Sequence, residues 1–295
     1  MKFATPAAAA AIACALALPT AALAQDSDEA RVDAQVPTET VFDGDFVMVG
    51  VGVGYGASYS GSDDYTAFAV PVVAGSIAGV DFTPRAAGLA FDLIPDAEEG
   101  VSFNAGPVIK LNRDRADIDQ IEDDVVAAYG ELDTAIEVGP SVGVQIPQIL
   151  HGYDWISISA DAAWDIAGAH EGMSISPGVN YFTPLSRGMA ASLGVNATWI
   201  DDDYADYYYS VSGVNPGLSK ADLLPAFDAE GGFERIGVNA FLAYDLNNDL
   251  TDGGLAIVGL GSYSRLLGDA KDTPFTSIRG DANQWLFAAG IGYTF

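Results

Sequence analysis

At 295 residues and 49% hydrophobic content, the chain holds enough material for one large domain or two small ones. Its 41 acidic against 12 basic residues, a net charge of −29, exclude nucleic acid as a natural partner. The single cysteine, Cys14, falls in a stretch expected to be removed, which excludes disulfides and cysteine metal centres from the mature chain.

Residues 1–24 read as a secretory signal peptide. Lys2 supplies the positive start, Ala7 to Leu18 the apolar run, and Ala22-Leu23-Ala24 a small-residue cleavage site before Gln25. Processing is therefore expected between Ala24 and Gln25. Residues 25–45 are polar, acidic and aperiodic, as in a periplasmic N-terminal tail. Mean hydropathy is +0.21, yet beyond the leader no stretch of about 18 uncharged apolar residues supplies a spanning helix. A chain this apolar must carry its greasy residues on strands, and in hydrocarbon only a closed sheet satisfies strand edges.

From residue 46 onward the pattern has period two. Val47, Val49, Val51, Val53, Tyr55, Ala57 and Tyr59 share one face against a row of glycines and serines from Gly50 to Ser60. After an acidic turn at Gly61–Asp64, a second strand is expected over 65–74, with Phe68, Val70 and Val72 outward and Pro71 on the other face. Two short segments follow, around Ile77–Thr83 and Ala86–Leu93, the first being the weakest. Six further segments alternate cleanly, beginning near Val101, Leu132, Ile156, Met173, Met189 and Ile236. Gly254–Leu267 is mixed on both faces. The terminal strand then places Trp285, Phe287, Ala289, Ile291, Tyr293 and Phe295 on a single apolar face. Aromatics at both ends of that face match interfacial girdles, and Tyr293 with the final Phe295 resembles the closing signal of bacterial outer-membrane barrels.

The fold class expected is all-β: a closed antiparallel transmembrane β-barrel of about 12 strands over 46–295, with ten if the two weak segments are not strands. Connections are short near 96–100, 147–152, 184–188 and 247–253, and long over 113–131, 201–228 and 269–283. The short ones are expected in the periplasm and the long ones outside the cell.

Three stretches resemble the MipA/OmpV family of outer-membrane proteins. They are Tyr59 to Tyr65 with Pro71 downstream, Tyr207 to Ser212 followed by Leu224 to Asp228, and a third near the C-terminus. The third is the most specific: Tyr263, Ser264, Arg265, Leu266, Leu267, Gly268, Asp269 and Ala270, then Pro274, Arg279, Gly280, Asn283 and the final Tyr293-Thr294-Phe295. Phe227, Ser210 and Thr273 depart from the family's usual tyrosine, glycine and serine. The resemblance implies a barrel in the outer membrane of a Gram-negative bacterium. It also suggests an MltA-interacting, scaffold-like role with murein hydrolase or synthase partners.

Few residues could serve catalysis. His151 and His170 fall in turns at opposite ends of the barrel, where both read as solvated, and no cofactor or metal site is expected. Asp245, Asn247 and Asp249 imitate the start of a calcium loop, but Leu250 replaces its glycine. The acidic loop from Asp114 to Asp133 and the cluster Asp201, Asp202, Asp203 and Asp206 are candidates for divalent-cation bridges to lipopolysaccharide and outer-membrane lipid. Inside the barrel, Lys110, Arg235 and Arg265 are expected to pair with Glu137, Asp161 and Asp165 in a network that fills the lumen. The functions that follow are a non-enzymatic scaffold, a narrow cation-preferring or small-solute pore, or an adhesin using the tyrosine-rich loops.

Overall fold

The computed structural model describes residues 40–97, 100–220 and 222–295. The expected leader, its expected Ala24–Gln25 cleavage site and most of the expected N-terminal tail lie outside the described residues. The described chain opens with a 3-10 turn, Val41–Asp43, capped by the Thr40 side chain and tied by the Val41 amide to the Thr251 carbonyl.

Twelve strands then close on themselves: β1 (Phe46–Ala57), β2 (Tyr65–Ile77), β3 (Val80–Arg85), β4 (Gly88–Asp92), β5 (Ser102–Asn112) and β6 (Ala135–Pro147), followed by β7 (Trp155–Asp165), β8 (Met173–Ser186), β9 (Met189–Ile200), β10 (Gly232–Asp245), β11 (Gly254–Leu266) and β12 (Asn283–Thr294). Each pairs antiparallel with its sequence neighbours, and β1 pairs with β12 from Met48–Thr294 to Gly56–Leu286. The two short segments are strands, so the count is twelve. Their bounds differ from the periodicity: Ile77 ends β2, and the two-residue turn Ala78-Gly79 carries positive φ at both positions (53° and 78°), as a tight hairpin turn requires.

The terminal strand behaves as its alternation demands. Trp285, Phe287, Ile291, Tyr293 and Phe295 are exposed, while Gln284 just before them and Gly292 between them are buried. Val49, Val51, Val53 and Tyr55 continue this band on β1, and Leu193, Val195, Ile236, Val238 and Leu242 on β9 and β10. Such a belt is stable only against hydrocarbon. Tyr55 and Tyr65 (ring centroids 5.7 Å apart) and Tyr263 and Trp285 (4.7 Å) mark its girdle at the end where the long connections emerge.

Register corrects the second strand. Phe68, Val70 and Val72 sit opposite Gly54, Gly52 and Gly50 of β1, and opposed residues share a face. These three therefore point inward, and Ala67, Ala69, Pro71 and Val73 take the lipid face. The glycine row supplies the room. A Cβ on Gly54 would stand 2.6 Å from the Phe68 ring, and one on Gly52 would stand 2.6 Å from the Ala289 carbonyl oxygen. Tyr59, expected on the lipid face, lies beyond the end of β1 and is buried.

Candidate functional site, a capped lumen

The long connections fold over one mouth of the barrel into a cap with its own core. Four short helices stiffen it: α1 (Asp124–Ala127), α2 (Asp202–Tyr209), α3 (Gly268–Asp272) and α4 (Pro274–Ser277). In α2, Tyr204, Ala205, Tyr208 and Tyr209 recur at helical spacing and are buried, while Asp202, Asp203 and Asp206 lie exposed. Asp201 caps the helix by accepting the Tyr204 amide. The buried face packs on Ile200, Ala229, Leu266 and Ala270. A second apolar cluster joins Tyr59, Ile121, Val126, Val211, Leu224 and Phe275. The α2 tyrosines thus form core rather than a displayed surface.

Polar groups lock the loops together. The Thr273 hydroxyl donates to the Tyr209 carbonyl at 2.6 Å, Arg115 donates to the Tyr208 carbonyl, and its guanidinium stacks 4.6 Å above the Phe275 ring. Arg279 pairs with Asp123 at 2.6 Å, and the Ser60 amide donates to Asp114 at 2.8 Å. Burial raises the Tyr204 and Tyr209 hydroxyls well above their ordinary range, raises Asp114 and lowers Arg115. Two of the acidic residues of this loop serve as caps: Asp117 accepts the Asp119 amide, and Asp123 accepts those of Val125 and Val126.

The C-terminal motif joins barrel to cap. Leu266 is fully buried, Tyr263 and Arg265 both donate to Asn283 (2.7 and 2.9 Å), the Leu267 amide donates to the Glu234 carbonyl, and Asp269 accepts the Glu230 amide at 2.8 Å. Gly268 adopts φ 49°, and Ser264 sits opposite Gly237 and Gln284 inside the wall. At Gly280 a Cβ would fall 1.8 Å from the Gly61 carbonyl oxygen, so only glycine permits that approach.

The expected luminal network separates into groups. Asp161 pairs with Arg85 (2.8 Å), a residue the sequence reading passed over, and accepts the Ser141 hydroxyl at 2.6 Å. Lys110 lies near both, donating to Ser176 at 3.4 Å. Glu137 accepts the Ser174 hydroxyl and lies 3.5 Å from His170 Nε2. Arg235 belongs to a separate group under the cap with Glu234, Tyr209 and Ser60. Two expected members stand apart. Asp165 caps the β7–β8 turn by accepting the amides of Ala167, His170 and Glu171, and Arg265 projects outward at the rim beside Tyr263, where it is exposed. His170 is likewise not solvated. It is 4% exposed, its Nδ1 accepts the Gly172 amide, and its ring packs on Tyr204 and Tyr208. His151 occupies the opposite end of the barrel, bonded to Thr183.

At mid-height the lumen is hollow rather than filled. Asn196 is exposed although it faces inward, and inward-facing Phe68 is 38% exposed. Twelve strands lie between the eight that side chains can fill and the sixteen of open porins. Asp245, Asn247 and Asp249 build the β10–β11 turn, in which Asp245 accepts the Asn247 and Asp249 amides.

No curated protein matches the chain significantly by sequence. Among solved structures it is similar to an outer-membrane channel of Pseudomonas putida F1 (10% identity, 85% of this chain and 96% of that one, TM-score 0.41). It is also similar to OprD of Pseudomonas aeruginosa (10%, 88% and 95%, TM-score 0.27) and to a FadL homologue of the same organism (11%, 84% and 89%, TM-score 0.30). These likenesses are too distant to transfer a role. The family model described as MltA-interacting protein MipA matches residues 49–295, from the middle of β1 to the last residue, and the chain therefore belongs to that family, as an outer-membrane β-barrel protein of the Gram-negative envelope.

Proposed function

We propose that the barrel is a narrow conduit for small solutes, with the extracellular cap as its gate. The observation that carries this reading is the solvent-accessible inward face at Asn196 beneath an apolar, hydrogen-bonded lid. A structural plug would have no use for a hollow waist. The acidic balance of 41 to 12 favours cations over anions in transit. In this reading residues 1–24 are the export leader and 25–45 remain as a periplasmic tail. Planar bilayers test it. The full chain gives brief, small current steps, and deleting residues 202–228 lengthens and enlarges them with a cation-selective reversal potential. A deletion variant that still folds to a heat-modifiable barrel but passes no current defeats the proposal.

A second reading, a scaffold for murein-remodelling enzymes, is favoured by the periplasmic β6–β7 turn. There Ile149, Leu150 and Tyr153 are all exposed, Leu150 at 77% and Tyr153 at 72%. The family's description as an MltA-interacting protein points the same way. A photoreactive residue in place of Leu150, activated in intact cells, is expected to capture a murein hydrolase or synthase. Capture of lipid alone speaks against the scaffold.

A further inference from the structure

Most neighbouring strands pair over nine to twelve residues, but β2 and β3 pair only at Gly75–Phe82, Ser76–Asp81 and Ile77–Val80. Above that point β3 turns back at Ala86-Ala87 into β4, which follows β5 through Gly88–Lys110 and Ala90–Val108. Among the described residues, nothing hydrogen-bonds the β2 backbone from Tyr65 to Ala74 on the side away from β1. The result is a window in the wall. Its edges are β2, the β3–β4 hairpin tip and, above, the Ser60–Asp114 contact of the cap.

Two further features mark the window. Ala67, Phe68 and Ala69 of β2 are exposed in succession, as are Thr83 and Pro84 of β3. Each edge also carries a proline. The β1–β2 register runs unbroken through Val51–Pro71 and the β3–β4 register through Pro84–Leu89, so both donorless nitrogens turn toward the gap. Prolines there keep the two edges from zipping together and discourage an added strand.

We propose that this window is a lateral binding site for a single-chain amphiphile drawn from the outer leaflet. Backbone groups bared to hydrocarbon have no partner for their hydrogen bonds, so luminal water must reach the β2 edge. The window is thus a meeting point of water and lipid. Its inner β2 lip is apolar, with Phe68, Val70 and Val72 laid against the β1 glycines. Its β3 lip is polar, with Arg85 donating to Thr83 at 2.9 Å and to Asp161. A hydrocarbon tail fits the first and a polar head the second. The capped mouth makes the membrane the source.

The site deepens the conduit reading, and the test separates the two. The full chain, with Cys14→Ser, is placed in phosphatidylcholine–phosphatidylglycerol vesicles with a lysophosphatidylcholine whose chain ends in a diazirine. Photolysis is expected to give adducts on inward-facing Phe68, Val70 and Val72 as well as on outward-facing Val51, Val53 and Ile291. Bridging Ala69→Cys to Ala86→Cys with a bifunctional maleimide removes the inward adducts and leaves the outward ones. Adducts confined to the outward face, or inward adducts indifferent to the bridge, overturn the site. So do Ala69→Cys disulfide dimers, which would place a second copy on the edge. Bilayer currents from the same samples report independently: current without inward adducts leaves the conduit and removes the window, and adducts without current do the reverse.

Discussion

Gly54 and Phe68 illustrate how single residues set the wall. A methyl at position 54 meets the Phe68 ring at 2.6 Å, so Gly54→Ala is expected to destabilise the barrel by about 1–3 kcal/mol through overpacking. Trimming the ring as well restores much of that loss. The Gly54→Ala/Phe68→Ala cycle should show coupling of about 1 kcal/mol in urea unfolding from vesicles, and additive effects would mean the two side chains do not meet. Arg85 makes a different prediction. Removing it as Arg85→Met leaves Asp161 charged and 4% exposed, a loss of about 3 kcal/mol. Asp161→Asn in the same background should recover part of it in the same assay. Arg85 escaped the sequence reading because it fell between the two short segments expected over 77–83 and 86–93, whereas it is the last residue of β3.

At the level of elements, the cap's attachment and the periplasmic clasp can each be perturbed alone. Thr273 is fully buried and its hydroxyl satisfies the last carbonyl of α2, so Thr273→Val leaves that carbonyl bare at a cost of about 1–2 kcal/mol. Faster protease cleavage within 201–231, with unchanged heat-modifiability of the barrel, is the expected readout. On the other side, Arg187 of the β8–β9 turn pairs with Asp249 of the β10–β11 turn. The Arg187 hydrogen bond, followed by that of Thr251, holds Asp249 below the usual carboxylate range. A depressed carboxyl stabilises the fold above its unfolded value of about 3.9 and loses that contribution as pH falls through the folded one. Exchange of the Leu250 amide, bonded to the Arg187 carbonyl at 2.9 Å, should therefore be unchanged from neutrality to about pH 5 and, relative to intrinsic rates, accelerate below about pH 4. Strands whose two faces differ in polarity were legible from period two alone, β12 above all. β2 was not, because valine and phenylalanine suit either face when the inner wall is itself apolar. Only pairing against the β1 glycines decides between the faces, and pairing is not written in the composition of one strand.

Across the whole molecule, the closed twelve-strand ring could be read from alternation. The cap could not. Its loops are acidic and rich in tyrosine, a composition shared by solvated loops, and their folding depends on contacts between stretches far apart in sequence, such as Tyr59 with Phe275 and Asn215 with Ala128. The luminal charges were partly legible: Glu137 and Asp161 face inward as alternation requires, whereas Arg265 fell on the wrong side because β11 is apolar on both faces. The ring also closes between its two ends, Val51 on Ile291 and Tyr55 on Phe287. No nascent chain can make that pairing before its final residues are synthesised, and loop-closure entropy is paid in full at that moment. Until then both terminal strands carry bare hydrogen-bonding rows that aggregate readily in water. Chaperoned delivery is thus a kinetic necessity for this polypeptide, and trimming β12 should leave an assembly-stalled species rather than a smaller barrel.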